Sequence, residues 1–167
     1  MNNEEKQENY DLAEKLISEQ NFTAAVIGGV VATILAAVAY GILVAKWKFS
    51  YGFAAVGVGI VIGLSMGFLG RGISIKFSVV AVLFTMTGCV LGNLFRVMIE
   101  LSSATATSPI DVLRNSPFSL LMERAIYNIF SVALVYWFVA VVAAVFLARR
   151  SLSRPQRLAI GLYEMRD

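Results

Sequence analysis

Histidine is absent from the chain, and cysteine occurs once, at Cys89. The first absence removes the usual general base and the commonest metal ligand. The second rules out an intrachain disulfide and leaves no thiol pair for redox chemistry. Charge is also scarce, at 15% of residues, and it is segregated. Acidic groups collect at the start (Glu4, Glu5, Glu8, Asp11, Glu14 and Glu19, against Lys6 and Lys15), and arginines collect at the end (Arg149, Arg150, Arg154, Arg157 and Arg166). The net charge of +3 comes from that basic tail. A basic cluster beside an apolar run sets membrane topology or touches anionic lipid, so membrane lipid is an expected partner and nucleic acid is not. The acidic start lacks the basic n-region of a cleavable signal, so the first apolar run is expected to stay in the mature protein.

What is abundant is apolar. Hydrophobic residues make up 58% of the 167, with a mean hydropathy of +0.74, whereas soluble domains are roughly 45–50% apolar. The bilayer is therefore the expected solvent. The reading is an all-α membrane protein, a four-transmembrane-helix bundle with short N-terminal and loop helices. Residues 1–21 form a polar N-terminal helix or tail, 22–148 the membrane domain, and 149–167 a basic C-terminal tail. Four runs, at about 22–45, 52–70, 77–95 and 125–148, approach the ~20 apolar residues that a helix needs to cross hydrocarbon. Between the last two lies an extramembrane link, 102–124, whose first residues, Ser102 to Thr107, look polar and flexible. Ser108-Pro109 and Ser116-Pro117 each place a serine N-cap before a proline at the first helical position. They predict a short helix near 109–114 and another from Pro117, and Ser153 with Pro155 predicts one more in the tail. With both termini cytoplasmic, that side carries most of the basic residues, Arg71, Lys76 and the terminal groups among them, against Lys46, Lys48, Arg96, Arg114 and Arg124. The balance favours N-in, C-in in a bacterial inner membrane.

Small residues recur every fourth position in the spans, and residues four apart share a helix face. Span 1 has Ala25, Gly29, Thr33, Ala37, Gly41 and Ala45. Span 2 has Ala55, Gly59, Gly63 and Gly67, and span 3 has Gly88 and Gly92. In lipid, close backbone approach replaces the hydrophobic effect as the packing force. Gly29, Gly41, Gly59, Gly63, Gly67, Gly88 and Gly92 are thus the expected helix-packing positions, a glycine-zipper pattern in which spans 1 and 2 pack through their matching columns. The turn Gly70-Arg71-Gly72 is expected to use its two glycines for positive φ.

Polar residues at a span end mark an interface, while those deep within one are functional candidates by default. Asn93, Arg96 and Glu100 lie between those cases and form the candidate polar cluster. Cys89 is expected to be a small packing residue.

The stretch Ala55-Val56-Gly57-Val58-Gly59, then Gly63, Gly70-Arg71-Gly72-Ile73 and Gly88-Cys89-Val90-Leu91-Gly92-Asn93 resembles a group of uncharacterised small bacterial four-helix membrane proteins with a glycine-rich hairpin. The resemblance covers about residues 18–95. It implies the fold and a bacterial inner-membrane location, and it carries no activity. Some members of that group bear a soluble zinc ribbon ahead of the spans, which a chain with one cysteine cannot make.

No enzyme is expected. Paired intramembrane carboxylates and metal-ligand spacing are missing, and no base stands beside the serines and threonines. Gly57-Val58-Gly59 lies inside an apolar span without the strand or lysine of a phosphate loop. No cofactor and no metal are expected. The leading expectation is a structural or accessory protein, a subunit or scaffold that contacts other membrane-protein subunits or copies of itself. The alternative is a small oligomeric channel or transporter with Asn93, Arg96, Ser65, Thr85 and Asn128 along a polar route.

Overall fold

The computed structural model describes residues 3–127 and 133–165. Asn128 and Arg166, named above, lie outside the described residues. Most of the described residues are helical, and none is in a strand. The elements are α1 (Asn3–Ser18), α2 (Phe22–Trp47), α3 (Tyr51–Gly70), α4 (Ile75–Thr105), α5 (Pro109–Asn115), α6 (Phe118–Tyr127), α7 (Ala133–Leu147) and α8 (Arg154–Glu164).

The helix ends follow local chemistry. Asn21 caps α2, its Oδ1 accepting from Ala24 N at 2.9 Å. Ser108 caps α5 by accepting from Asp111 N, with Pro109 in the first turn. Ser153 and Gln156 form a reciprocal capping box on α8. At the C-terminus of α2, Lys48 turns left-handed (φ 54°) and Phe49 N donates to Leu43 O, the closure that satisfies orphan end carbonyls. α4 runs on to Thr105, past the expected span end and into the expected link. The hydroxyls of Ser103 and Thr105 bond back to Ile99 O and Leu101 O, one turn earlier, and so find partners within the helix.

Three helices, α2, α3 and α4, are long and apolar enough to cross a membrane. The expected fourth span is represented by the end of α6 and by α7. At 15 residues, α7 alone falls short of the ~20 that a crossing needs. In space, α2, α3, α7 and α4 form a cyclic bundle: α4 packs most extensively on α2, α3 on α7 and on α2, and α7 closes on α4. α3 and α4, adjacent in sequence, share a smaller contact. The interior holds Ala25, Ala32, Ala36 and Tyr40 of α2, Ala55, Val58, Ile62 and Met66 of α3, Ala81 and Cys89 of α4, and Ala144 of α7. Large apolar side chains instead point outward, among them Leu35, Phe53, Phe68 (79% exposed) and Phe138. Small inside and large outside is the arrangement suited to a lipid solvent. A second cluster joins Leu94, Val97 and Met98 of α4 to Val112 of α5 and to Leu121 and Ala125 of α6. α1 packs on α8, burying Ala13, Leu16 and Ala159.

Two expectations are corrected. The Gly59, Gly63 and Gly67 column does not meet span 1. It meets α7: a Cβ on Gly59 would collide with Ala140 O, one on Gly63 would lie 2.9 Å from Ala144 Cα, and one on Gly67 would collide with Leu147 O. Ala140 and Ala144 form an equally flat column, so α3 and α7 approach at backbone level. Contact between α2 and α3 uses other positions, with Gly28 against Ser65 and Leu69. The second correction concerns the turn. No described glycine has positive φ; Arg71 does (φ 46°), and its N–H closes α3 on Gly67 O. Gly70 and Gly72 serve proximity instead: a Cβ on Gly70 would lie 2.6 Å from Ala25 Cβ, and one on Gly72 would enter the Phe77 ring.

Candidate functional site

The helices place polar groups at the two ends of the bundle. At the end shared by the start of α2 and the close of α7, contacts run between elements. Arg150 Nη1 donates to Glu19 Oε2 at 2.8 Å, and Arg71 Nη1 stands 3.8 Å from the same oxygen. Ile73 N and Ser74 N donate to Gln20 Oε1, Asn21 N to Gly70 O, and Arg150 N to Gly72 O. The hydrogen bond from Arg150, with the positive field of Arg150 and Arg71, holds the Glu19 carboxyl below its ordinary pKa.

The opposite end carries the Asn93, Arg96 and Glu100 cluster, on one face of α4. Gly92 makes room for it from behind, since a Cβ there would lie 2.8 Å from the Tyr40 ring. Asn93 is 2% exposed and its Nδ2 donates to Ala125 O at 2.9 Å, tying α4 to α6. Arg96 is 4% exposed. Its Nη1 donates to Tyr51 OH at 2.8 Å and lies 3.6 Å from Glu100 Oε1, and its guanidinium carbon sits 4.8 Å from the Tyr51 ring centroid. Two buried atoms of the cluster, Asn93 Oδ1 and Arg96 Nε, have no hydrogen-bond partner among the described residues. Such atoms are uncommon, and each costs about 1–3 kcal/mol.

The cluster opens on a cleft of about 610 Å³ between α4 and α6, where Glu123 and Arg124 join Arg96 and Glu100. The cleft therefore offers both charge signs at its wall. Among the described residues it contains no nucleophile beside a base. Among the described residues no group of three or more His, Cys, Asp or Glu could hold a metal ion.

The other glycines of the expected packing set lie at close helix contacts. Gly29 abuts Phe84 (2.5 Å from a built Cβ), Gly41 abuts Phe95 Cβ (2.6 Å), and Gly88 lies against Val58, Ile62 and Thr33. The remaining polar candidates are not brought together. Ser65 Oγ donates to Gly28 O in the α2–α3 groove. Thr85 Oγ1 donates to Ala81 O and borders a separate, apolar groove between α4 and α7. Sequence reasoning missed Tyr51 as the partner of Arg96, and Glu123 and Arg124 as its neighbours. A tyrosine at the first turn of a span was the available signal for Tyr51.

No family model, curated protein or solved structure matches the chain.

Proposed function

We propose that the chain is a four-span protein of a bacterial inner membrane, with both termini cytoplasmic, that serves as a structural or accessory subunit of a larger membrane assembly or as a scaffold built from its own copies. Span 4 in this reading combines the end of α6 with α7. The observation that carries the functional part is the closed interior. Gly59, Gly63 and Gly67 bring α3 against the α7 backbone, and the buried hydroxyls of Thr33 and Thr85 bond to carbonyls of their own helices. A bundle packed in this way holds surfaces for neighbours better than a path for solute.

The test is extraction in mild detergent with mass spectrometry of what remains bound. A fixed partner, or a fixed number of copies, supports the role; a chain that leaves the membrane alone counts against it. The second reading, an oligomeric channel or transporter, is favoured by buried Arg96 beside an open cleft. Solute flux in proteoliposomes that is lost in Asn93→Ala and Arg96→Ala would establish it and displace the first.

A further inference from the structure

The two ends of the bundle each hold a cleft, and their charge differs. The Arg96 cleft pairs two arginines with two glutamates. The cleft at the terminal end, about 630 Å³, carries Arg149, Arg150 and Arg157 and, among the described residues, no acidic residue in its wall. Glu19 touches Arg150 from outside the cleft and offsets one of the three charges. The rest of the wall includes Ile73, Val145, Phe146 and Leu152. Phe146, in the last turn of α7, is 76% exposed. A cationic floor thus adjoins an apolar wall where α7 ends.

The arginines are held in place. Arg149 Nε donates to Ser78 Oγ at 2.6 Å, and Ser78 Oγ donates in turn to Val145 O at 3.4 Å, linking α4 to α7. Arg157 Nε donates to Leu152 O at 3.2 Å. Arg149 and Arg157 are thus fixed through Nε, and no hydrogen bond among the described residues engages their Nη donors. A planar guanidinium held this way suits the oxygens of a phosphate or phosphodiester.

The geometry points to a binding site for the phosphodiester of an anionic phospholipid, with Arg149 and Arg157 on the phosphate, and Val145 and Phe146 against the acyl chain. Basic clefts between helices at the cytoplasmic face are suited to such headgroups. A zwitterionic lipid is disfavoured because its ammonium would meet arginines, with no acid among the described residues of the wall. The site rests on the chain lying in a membrane and not on its accessory role, so loss of lipid preference and loss of a bound partner are separate outcomes.

The full-length protein in neutral detergent is titrated with phosphatidylglycerol or phosphatidylcholine, and bound lipid is counted by native mass spectrometry. Wild type should prefer phosphatidylglycerol by about tenfold, a difference of about 1.4 kcal/mol. Arg149→Gln with Arg157→Gln should bring the two lipids to near parity. Lys46→Gln with Lys48→Gln, the same charge change at the opposite end, should leave the preference intact. If the double arginine variant does not fold, Arg157→Gln alone, on an exposed side chain, should still lower the preference about threefold, by the same conversion. Full preference in the arginine variants, or equal loss in the lysine variant, would overturn the site. Displacement of phosphatidylglycerol by an equal concentration of inorganic phosphate would make it a free-anion site and overturn the lipid assignment.

Discussion

At the end where the terminal segments meet, the polar contacts run between separate elements: Glu19 with Arg150 and Arg71, Gln20 with the 73–74 backbone, Arg149 with Ser78. At the other end a single helix face carries Asn93, Arg96 and Glu100, and two buried polar atoms there have no partner among the described residues. The first end stitches the bundle together at its rim, where water and salt weaken each tie. The second keeps a charge inside, held by Tyr51 and Glu100. That contrast separates polar groups that close a fold from polar groups retained for another reason. It marks the Arg96 cleft, rather than the glycine columns, as the place to look for contact with something outside the chain.

The substitution with the largest expected effect breaks both ends at once. Gly59→Leu drives α3 from α7, and those helices carry Tyr51 to one end and Arg149 to the other. A loss of about 3 kcal/mol in detergent unfolding is expected from such overpacking. Gly57→Leu, at a position where a Cβ meets nothing within 4 Å, should stay within about 0.5 kcal/mol of wild type. Next comes Asn93→Ala, which removes the buried bond to Ala125 O and should cost about 1–3 kcal/mol in the same unfolding assay. Arg96→Met is expected to leave stability within about 1 kcal/mol of wild type or to raise it, because Glu100 reaches solvent and is not stranded by the change. A loss of several kcal/mol would make Arg96 a structural tie like those of the other end.

The smallest effect lies in pH. The Glu19 carboxyl binds its proton more weakly in the folded chain than in the unfolded one. Its contribution is therefore complete above the ordinary value of 4.5 and lost as pH falls through the lowered folded value. Melting curves across that acid range at low salt should show wild type declining there, and Glu19→Gln should lack that part of the decline.

Much of the helical layout was legible because its signals are local. Ser108-Pro109, Ser153-Pro155 and the charge-free run after Phe22 each mark an element within a few residues. Partners were harder to read. The Gly59, Gly63 and Gly67 column specifies a flat face but not its neighbour, and the alanines of α2 and of α7 are equally flat. Spacing also gave no hint that Arg71 would take the left-handed turn, because the need at Gly70 and Gly72 is for space against Ala25 and Phe77, which lie far off in sequence or only in the folded turn. In the candidate site, Asn93, Arg96 and Glu100 stood out as polar residues near the end of an apolar run. Tyr51, Glu123 and Arg124 did not, since only the cyclic packing of α3, α4 and α6 places them nearby.

The central claim is that this closed bundle works through its neighbours. Its most direct test is the mass of the particle that carries the chain when it is excised together with native membrane and no detergent step. The account predicts a particle of fixed composition, heavier in protein than the 18.2 kDa chain, that survives Gly57→Leu and is lost with Gly59→Leu. A particle holding one copy of the chain and no other protein would contradict it.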